Sequence, residues 1–254
     1  MEGVEALTFD VFGTVVDWHG SVSAELKALG QDLALSADWD AFATEWRQGY
    51  LTNTSRIARE GSDSGPLNVD ILHRQVFVSW TDMLSSPRWV HVGSKLDGKT
   101  RAHLNLVWHL LVSDPLMCIG WPDTVEGLYQ LKKHVILTTL SNGNVRLLAS
   151  QAKHANLPWD LVLSAELFSC YKPNPEAYLG AIKHLSVPPE KCAMVAAHIY
   201  DLRAAAQVGM KTVYVQRPGE DRGDITVKSK SEGGEVDCVV QSFVELASLF
   251  SQMH

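Results

Sequence analysis

Short apolar runs alternate with helix-like segments along this chain, and no other feature limits its possible folds as strongly. The runs cover residues 6–9, 134–140, 161–164, 191–197 and 212–215. Short apolar runs bounded by turn signals are typical of strands that are covered on both faces of a parallel sheet. Because helical segments separate the runs, we predict an α/β fold with a doubly wound parallel sheet and right-handed crossovers.

The region between the first two runs is predicted to be helical throughout. Apolar spacing indicates helices over residues 15–29, 39–48, 67–84 and 100–111, with an N-cap at 36–38 and a flexible loop at 61–66. A chain of 254 residues, 46% of them hydrophobic, is at the upper end of what one core supports. One α/β core with an inserted helical lobe fits this length. The polar stretch 219–234 is predicted to be a surface loop.

Polar side chains follow the predicted strands at the points where they end. Asp10 follows the first strand, Ser141 and Asn142 the second, Lys172 comes after the third, and Asp201 after the fourth. The carboxyl ends of parallel strands meet at one edge of a sheet, where α/β proteins bind their ligands. Taken singly, each residue also fits a plain structural role, as a turn residue, a helix cap or a solvated charge. Together they predict a site.

Composition narrows the classes of partner. The formal net charge of −7 argues against nucleic acid or an anionic membrane as a partner. We find no leader sequence and no run of about 18 apolar residues that would span a bilayer, so a cytoplasmic location is expected. The four cysteines lack metal-type spacing and are expected to be reduced, mostly buried thiols. They are Cys118, Cys170, Cys192 and Cys238.

The run Asp10-Val11-Phe12-Gly13-Thr14 resembles the first motif of the haloacid dehalogenase superfamily, Asp-x-x-x-Thr, in which the first Asp is the nucleophile. The later strand ends resemble the remaining three motifs in sequence order. This resemblance implies an α/β core formed by residues 1–16 and 115–254. It also implies that residues 17–114 form an all-helical cap domain, which covers Asp10 as a lid.

Two motif positions separate the branches of this superfamily. Phosphatases usually carry a second Asp, which protonates the leaving alcohol, where this chain has Phe12. Halide leaves without a proton, so the sequence is more similar to the type II (L-2-haloacid) dehalogenases. In the fourth motif, phosphatases place a Gly-Asp pair that helps to bind magnesium, where this chain has Ala196, Ala197 and His198. Alanine cannot bind a metal, so the resemblance implies neither a metal nor an organic cofactor.

Two further residues match the dehalogenase branch. The segment Trp46-Arg47-Gln48 is similar to a Trp-Arg-Gln segment whose Arg reaches the departing halide. Tyr178, six residues after Lys172, matches an active-site Tyr. The plain alternatives are an exposed helical Arg and a packed core Tyr.

The resemblance implies nucleophilic catalysis by a carboxylate. Asp10 attacks C2 of a 2-haloacid, halide departs towards Arg47 and Asn142, and water then opens the resulting ester. The expected supporting residues are Ser141 and the backbone of Val11, Phe12 and Asn142 for the substrate carboxylate, Lys172 for charge balance, Asp201 for the water and Thr14 as a hydrogen-bonding support. His198 departs from the Asn of the best-known dehalogenases, and it either accepts the proton of water or only fills space.

The predicted function is therefore hydrolysis of short L-2-haloacids, with haloacetates as an extension, to 2-hydroxy acids. Two alternatives stay open: a magnesium-dependent small-molecule phosphatase of the same superfamily, and a non-catalytic member that binds a small carboxylate or a partner protein. A small molecule is the expected ligand. Whether the chain acts as a monomer or as a homodimer is open.

Overall fold

The computed structural model describes residues 1–78, 83–109, 121–221 and 226–252. Within these ranges, six parallel strands form one sheet in the order β3-β2-β1-β4-β5-β6. The strands are β1 (Ala6–Phe9), β2 (Ile136–Ser141), β3 (Leu161–Ser164), β4 (Cys192–Ala196), β5 (Lys211–Val215) and β6 (Cys238–Val240). The predicted fold class, a doubly wound parallel α/β sheet, is confirmed.

Helices connect these strands. They are α1 (Trp18–Asp32), α2 (Trp39–Glu60), α3 (Val69–Val78), α4 (Val90–Gly93), α5 (Gly98–Val107), α6 (Thr124–Leu131), α7 (Val145–His154), α8 (Pro175–Leu185), α9 (Ile199–Gln207) and α10 (Phe243–Ser251). None of these described helices is both long enough and apolar enough to cross a membrane.

The first strand lies at the centre of the sheet because its side chains are apolar on both faces. All four residues of β1 are buried, and Leu7 pairs with Leu137 of β2 on one side and Ala193 of β4 on the other. The ring of Phe9 packs against Trp159 and Phe243, with ring centroids 5.3 Å away in both cases. Strand order reverses at β1, and the crevice beyond its carboxyl end is therefore where a ligand is expected to bind.

The helices between β1 and β2 begin at aspartate caps, as their sequences favour. Asp17, Asp38 and Asp97 each accept a hydrogen bond from a backbone N–H in the first turn of α1, α2 and α5. Helix α2 runs further than the predicted 39–48, to Glu60, and its C-cap residue is Gly61, whose φ of +94° few other residues adopt. The predicted helices 67–84 and 100–111 extend partly outside the described residues.

The last third of the chain contains two features that the sequence did not predict. Strand β6 was not predicted, because three residues at a sheet edge give too short a pattern. Most described residues of the stretch 219–234 are exposed, as predicted, but the Glu220 side chain is only 10% exposed. Cys170 and Cys192 are buried free thiols, Cys238 is partly exposed, and Cys118 lies outside the described residues.

Candidate active site

The carboxylate of Asp10 lies directly after β1 and accepts three hydrogen bonds. Its Oδ1 accepts one from Lys172 Nζ at 3.0 Å. Its Oδ2 accepts two, from Thr14 Oγ1 at 2.9 Å and from His198 Nδ1 at 3.1 Å. A carboxylate oxygen offers two lone-pair directions, so these contacts leave one free on Oδ1 and none on Oδ2.

Lys172 is held in this position by the end of the second strand. Its backbone N–H donates to Asn142 Oδ1 at 2.7 Å, and Asn142 Nδ2 donates back to the Lys172 carbonyl at 3.1 Å. The ammonium also donates to Asp201 Oδ2 at 2.5 Å. One buried lysine therefore joins two carboxylates that come from different strand ends.

The neighbouring charges determine the protonation states of Asp10 and Lys172. Burial by itself raises the pKa of Asp10, but the Lys172 ammonium and His198 together hold it well below its usual value. The reverse holds for Lys172: burial lowers its pKa, whereas the two carboxylates raise it above the ordinary range. At the 3.0 Å separation of the Lys172 and Asp10 charges, the attraction is about 5 kcal/mol at an effective dielectric of 20. Asp10 is thus ionised at neutral pH.

The pKa of Asp201 is shifted in the opposite direction to that of Asp10. It lies in the first turn of α9, its Oδ1 accepts from Tyr178 Oη at 2.5 Å, and its side chain is 1% exposed. Burial raises the pKa of Asp201, and the Lys172 charge, which lowers it, does not cancel this rise; the neighbouring Asp10 charge adds a smaller increase. Two carboxylates whose pKa values diverge in this way suit two roles, with Asp10 as the nucleophile and Asp201 as the proton acceptor.

His198 is the N-cap residue of α9 and lies between two carboxylates. Its Nδ1 faces Asp10, and its Nε2 lies 3.0 Å from Glu220 Oε2. Burial lowers the pKa of His198, but its hydrogen bonds to Asp10 and Glu220 outweigh burial and raise it to about 10. Both ring nitrogens therefore carry protons at neutral pH. Next to it, the Ala197 N–H donates to Thr14 Oγ1 at 2.9 Å.

Arg47, on α2, points into a set of rings. Its guanidinium lies 4.7 Å from the centroid of the Tyr50 ring and between 5.2 and 5.9 Å from three others. We call the four rings the aromatic cage: Phe12, Trp18, Tyr50 and Trp108. The Arg47 residue is only 8% exposed, and no carboxylate among the described residues forms an ion pair with it. Ring faces attract a cation, but a buried guanidinium without a carboxylate is also a site for an anion.

The remaining predicted residues lie around the same crevice. Val11 and Phe12 follow Asp10 and are buried. Ser141 ends β2, and its Oγ accepts from the Gly143 N–H at 3.1 Å, which leaves its own proton free to be donated. Of the eleven predicted site residues, Arg47 lies on α2, Tyr178 on α8 and Asp201 on α9, and the other eight lie at strand ends or in the segments that follow them.

A cavity of about 520 Å³ lies between α2 and the loop that carries Lys172. Leu51 and Ala58 of α2 line it on one side, and Asn142, Lys172 and Pro173 line it on the other. Its lining is mostly apolar with a few polar groups, as in many sites for small ligands.

The donor set does not fit the magnesium site of the phosphatase branch. Magnesium requires near-octahedral oxygen ligands, and the described residues contain no cluster of three or more His, Cys, Asp or Glu side chains that suits a metal. The Lys172 ammonium occupies the place between Asp10 and Asp201, and Ala197 supplies no side-chain oxygen.

Sequence reasoning missed Glu220 and most of the aromatic cage. Glu220 is 22 residues beyond His198, in a stretch whose composition is that of a surface loop, and no local signal marks it. Trp46 and Tyr50 are four residues apart on one face of α2, a spacing that is typical of core packing and gives no signal of rings around Arg47.

Comparisons with known proteins show which family this chain resembles. The family model of haloacid dehalogenase-like hydrolases matches residues 4–209. A curated relative, (S)-2-haloacid dehalogenase 4A of Burkholderia cepacia, is 28% identical over 86% of this chain and 86% of its own.

Two crystal structures of dehalogenases show the same similarity. One, of an L-2-haloacid dehalogenase, has 32% identity and a TM-score of 0.80 over 97% of this chain and 99% of its own. The other, of a defluorinating L-2-haloacid dehalogenase, has 30% identity and a TM-score of 0.82 over 98% of this chain and 95% of its own.

With its α/β sheet, strand-end aspartate and paired lysine, the chain belongs to the haloacid dehalogenase-like hydrolases. Within that family, its similarity is to the L-2-haloacid dehalogenases.

Proposed function

We propose that the protein is a hydrolytic dehalogenase that converts short L-2-haloacids, haloacetates included, to 2-hydroxy acids through an ester on Asp10. One observation carries the proposal. An ionised carboxylate, paired with Lys172, comes two residues before Phe12, whose ring centroid is 5.2 Å from a buried guanidinium that has no described carboxylate partner. Phe12, two residues after Asp10, forms part of the cage around that guanidinium and offers no proton to a leaving group.

The first step is displacement at carbon. Asp10 Oδ1, which has the free lone-pair direction, attacks C2 from the side opposite the halogen. The C–O bond forms as the C–halogen bond breaks, and the halide departs with the bonding electrons. We assign Arg47 and Asn142 as the groups that receive it. Attack at C2 inverts that carbon, so an L substrate gives a D-2-hydroxy acid. We assign the substrate carboxylate to the Ser141 hydroxyl and the backbone N–H groups of Val11, Phe12 and Asn142, charge-assisted contacts of about 1.5–3 kcal/mol each.

The second step is hydrolysis of the ester. Water attacks Cγ of Asp10, and one of its protons passes to Asp201, whose raised pKa suits a proton acceptor. The bond from Cγ to Oδ1 then breaks, and the hydroxy acid leaves with Oδ1 and the proton held by Asp201. Asp10 regains its second oxygen from water and releases the remaining proton. Tyr178 keeps Asp201 in place through the 2.5 Å hydrogen bond.

In the same proposal, the helical region between β1 and β2 covers the active site as a cap. We propose that residues 17–114 form a cap over the core of 1–16 and 115–254, with the boundary near 114 outside the described residues. Helix α2 contributes Arg47 from above, and the 520 Å³ cavity beside it gives the substrate a route to Lys172 and Asn142.

The test is halide release from L-2-chloropropionate, its D enantiomer and chloroacetate, in buffer that contains a chelator. We expect release from the L enantiomer and from chloroacetate, none from the D enantiomer, and loss of activity in Asp10→Asn. Asp32→Asn, the same change on an exposed residue at the end of α1, is the matched control and keeps full activity. Absence of halide release from every haloacid would refute the proposal.

Two further measurements separate the alternatives. Magnesium-dependent release of phosphate from phosphate esters identifies a phosphatase. Oxygen-18 water distinguishes an enzyme from a binding protein, because hydrolysis at Cγ incorporates the label into Asp10 over repeated turnovers. A protein that only binds a carboxylate incorporates none.

A further inference from the structure

Glu220 makes a contact that the two-step mechanism above does not use. Its Oε2 lies 3.0 Å from His198 Nε2, and its Oε1 accepts from Trp18 Nε1 at 3.0 Å. The side chain is 10% exposed, although it comes from a polar stretch after β5. Its carboxylate lies so close to Gly13 that a Cβ there would collide with it. A carboxylate fixed at both oxygens and fitted against a glycine is part of the site.

His198 therefore bridges Asp10 and Glu220 through its two nitrogens. Other groups also lie near its ring. The Tyr200 ring centroid is 5.6 Å from that of His198, Lys172 lies on the far side of Asp10, and Asp221 accepts from the Ile199 N–H at 3.2 Å. Of these groups, only Asp10 and Glu220 contact the imidazole nitrogens in the described part of the chain.

Ester formation removes one of the two negative charges beside the His198 ring. When Oδ1 bonds to the substrate carbon, Asp10 loses its negative charge, and Oδ2 becomes the carbonyl oxygen of the ester. One of the two carboxylates that keep His198 protonated is then gone. Glu220 remains, because it takes no part in the displacement.

The geometry points to Glu220 as a positioning residue that keeps His198 protonated while Asp10 carries the ester. Building on the proposed dehalogenase function, we infer that His198 then donates from Nδ1 to the oxyanion that forms on Asp10 Oδ2. Thr14 donates to the same oxygen at 2.9 Å, so the two donors make an oxyanion hole. No proton leaves His198 in this step: water loses its proton to Asp201, and the charge that develops on Oδ2 is returned when the bond to Oδ1 breaks.

This role is the opposite of a general base, and pH distinguishes the two. A base must be deprotonated, so with His198 as base the hydrolysis of the ester accelerates as pH rises through the pKa of the ring. An oxyanion donor must be protonated, so hydrolysis slows over the same range.

The first experiment measures protonation directly and needs no turnover. Asp10→Asn replaces the charged carboxylate by a neutral group, as ester formation does, and nitrogen NMR of labelled histidine then follows His198. We expect the His198 midpoint to drop by roughly one to three pH units when Glu220→Gln is added. Asp221→Asn, a neighbouring carboxylate that contacts a backbone N–H and not the ring, leaves it unchanged. An unchanged midpoint in Glu220→Gln overturns the inference, even if the enzyme is a dehalogenase.

The second experiment measures the two chemical steps in single turnovers of otherwise unaltered enzyme. Acid quench followed by mass spectrometry of Asp10 gives the rates of ester formation and ester hydrolysis. In Glu220→Gln we expect hydrolysis to slow by at least about tenfold at pH 8.5, with recovery towards the wild-type rate at pH 6 and ester formation changed far less. Equal slowing of both steps at every pH, or hydrolysis that accelerates with pH, contradicts the inference. Glu220→Ala also removes the charge but leaves a smaller side chain. In this variant too, the rate of ester hydrolysis must recover at pH 6.

Discussion

Replacing Lys172 with Met tests the central electrostatic argument, because methionine keeps most of the side-chain volume and removes the charge. The ammonium donates to Asp10 at 3.0 Å and to Asp201 at 2.5 Å, and its side chain is 4% exposed. Loss of one partner from a buried ion pair costs about 3–5 kcal/mol, because the remaining charges are left without compensation. We expect a decrease of that size in the free energy of unfolding at pH 7.

The pH dependence of this decrease follows from the direction of the Asp10 shift. In the wild type, the pKa of folded Asp10 lies below its unfolded value of 3.8, so its contribution to stability is present above that value and is lost as pH falls through the folded pKa. In Lys172→Met the lowering by the ammonium is lost and only His198 still opposes burial, so the pKa of Asp10 rises relative to the wild type and burial penalises the ionised form. Acid relieves that penalty. The stability difference between wild type and variant is therefore largest at pH 7 and shrinks towards pH 4.5.

Urea unfolding at both pH values measures this difference, and halide release measures activity. We expect halide release at pH 7 to fall by at least about 10²-fold. Lys132→Met is the matched control, because Lys132 forms an ion pair with Asp160 at 2.6 Å with both side chains about one-third exposed. Its loss costs about 0–1 kcal/mol and no activity. Equal destabilisation of Lys172→Met at pH 7 and pH 4.5, or halide release at the wild-type rate, would refute the reasoning.

Three further substitutions test separate parts of the molecule. Arg47→Met removes the buried cation, so kcat/KM for chloride substrates is expected to fall about 10²–10³-fold and less for bromide, the better leaving group; equal losses for both halides contradict the assignment. Tyr178→Phe removes the hydrogen bond to Asp201, worth about 1.5–3 kcal/mol, and is expected to slow ester hydrolysis about 10–100-fold with the initial halide burst intact. An unchanged hydrolysis rate shows that Tyr178 does not position Asp201. Arg217→Met breaks a buried bidentate pair with Asp123 and is expected to cost about 3–5 kcal/mol in urea unfolding; a loss below 1 kcal/mol is the contrary result.

The positions at the strand ends were predictable because a local pattern and a general rule determine them. A short apolar run indicates a buried strand, and parallel strands bring their carboxyl ends to one edge. Asp10, Lys172 and Asp201 therefore converge as expected. The Asp10-to-Thr14 hydrogen bond spans four residues and is also local.

Contacts made by irregular segments were not predictable in this way. Strand β6 has three residues, which is too short for a clear pattern, and helix α2 exceeds its predicted length because only the amphipathic start was recognised. Glu220 lies in a Gly-Glu-Asp sequence that local chemistry assigns to a solvated turn. Its burial depends on partners far along the chain, namely Trp18 and His198.

Gly13, in the first motif, is the residue against which the distant Glu220 carboxylate packs. Its φ of +87° is a conformation that residues with a Cβ rarely adopt, and this alone favours glycine in the turn after β1. The structure adds a second reason, since a Cβ at this position would collide with the Glu220 carboxylate. The same turn therefore presents Asp10 to the substrate and leaves space for Glu220, which contacts His198 Nε2.

With Asp10, Asp201 and Glu220 negative, and Lys172, His198 and Arg47 positive, the formal charges of the site cancel before substrate binds. An arriving carboxylate then adds one negative charge, and the departing halide carries the same amount away, which suits the displacement we propose at a site where Phe12 offers no proton.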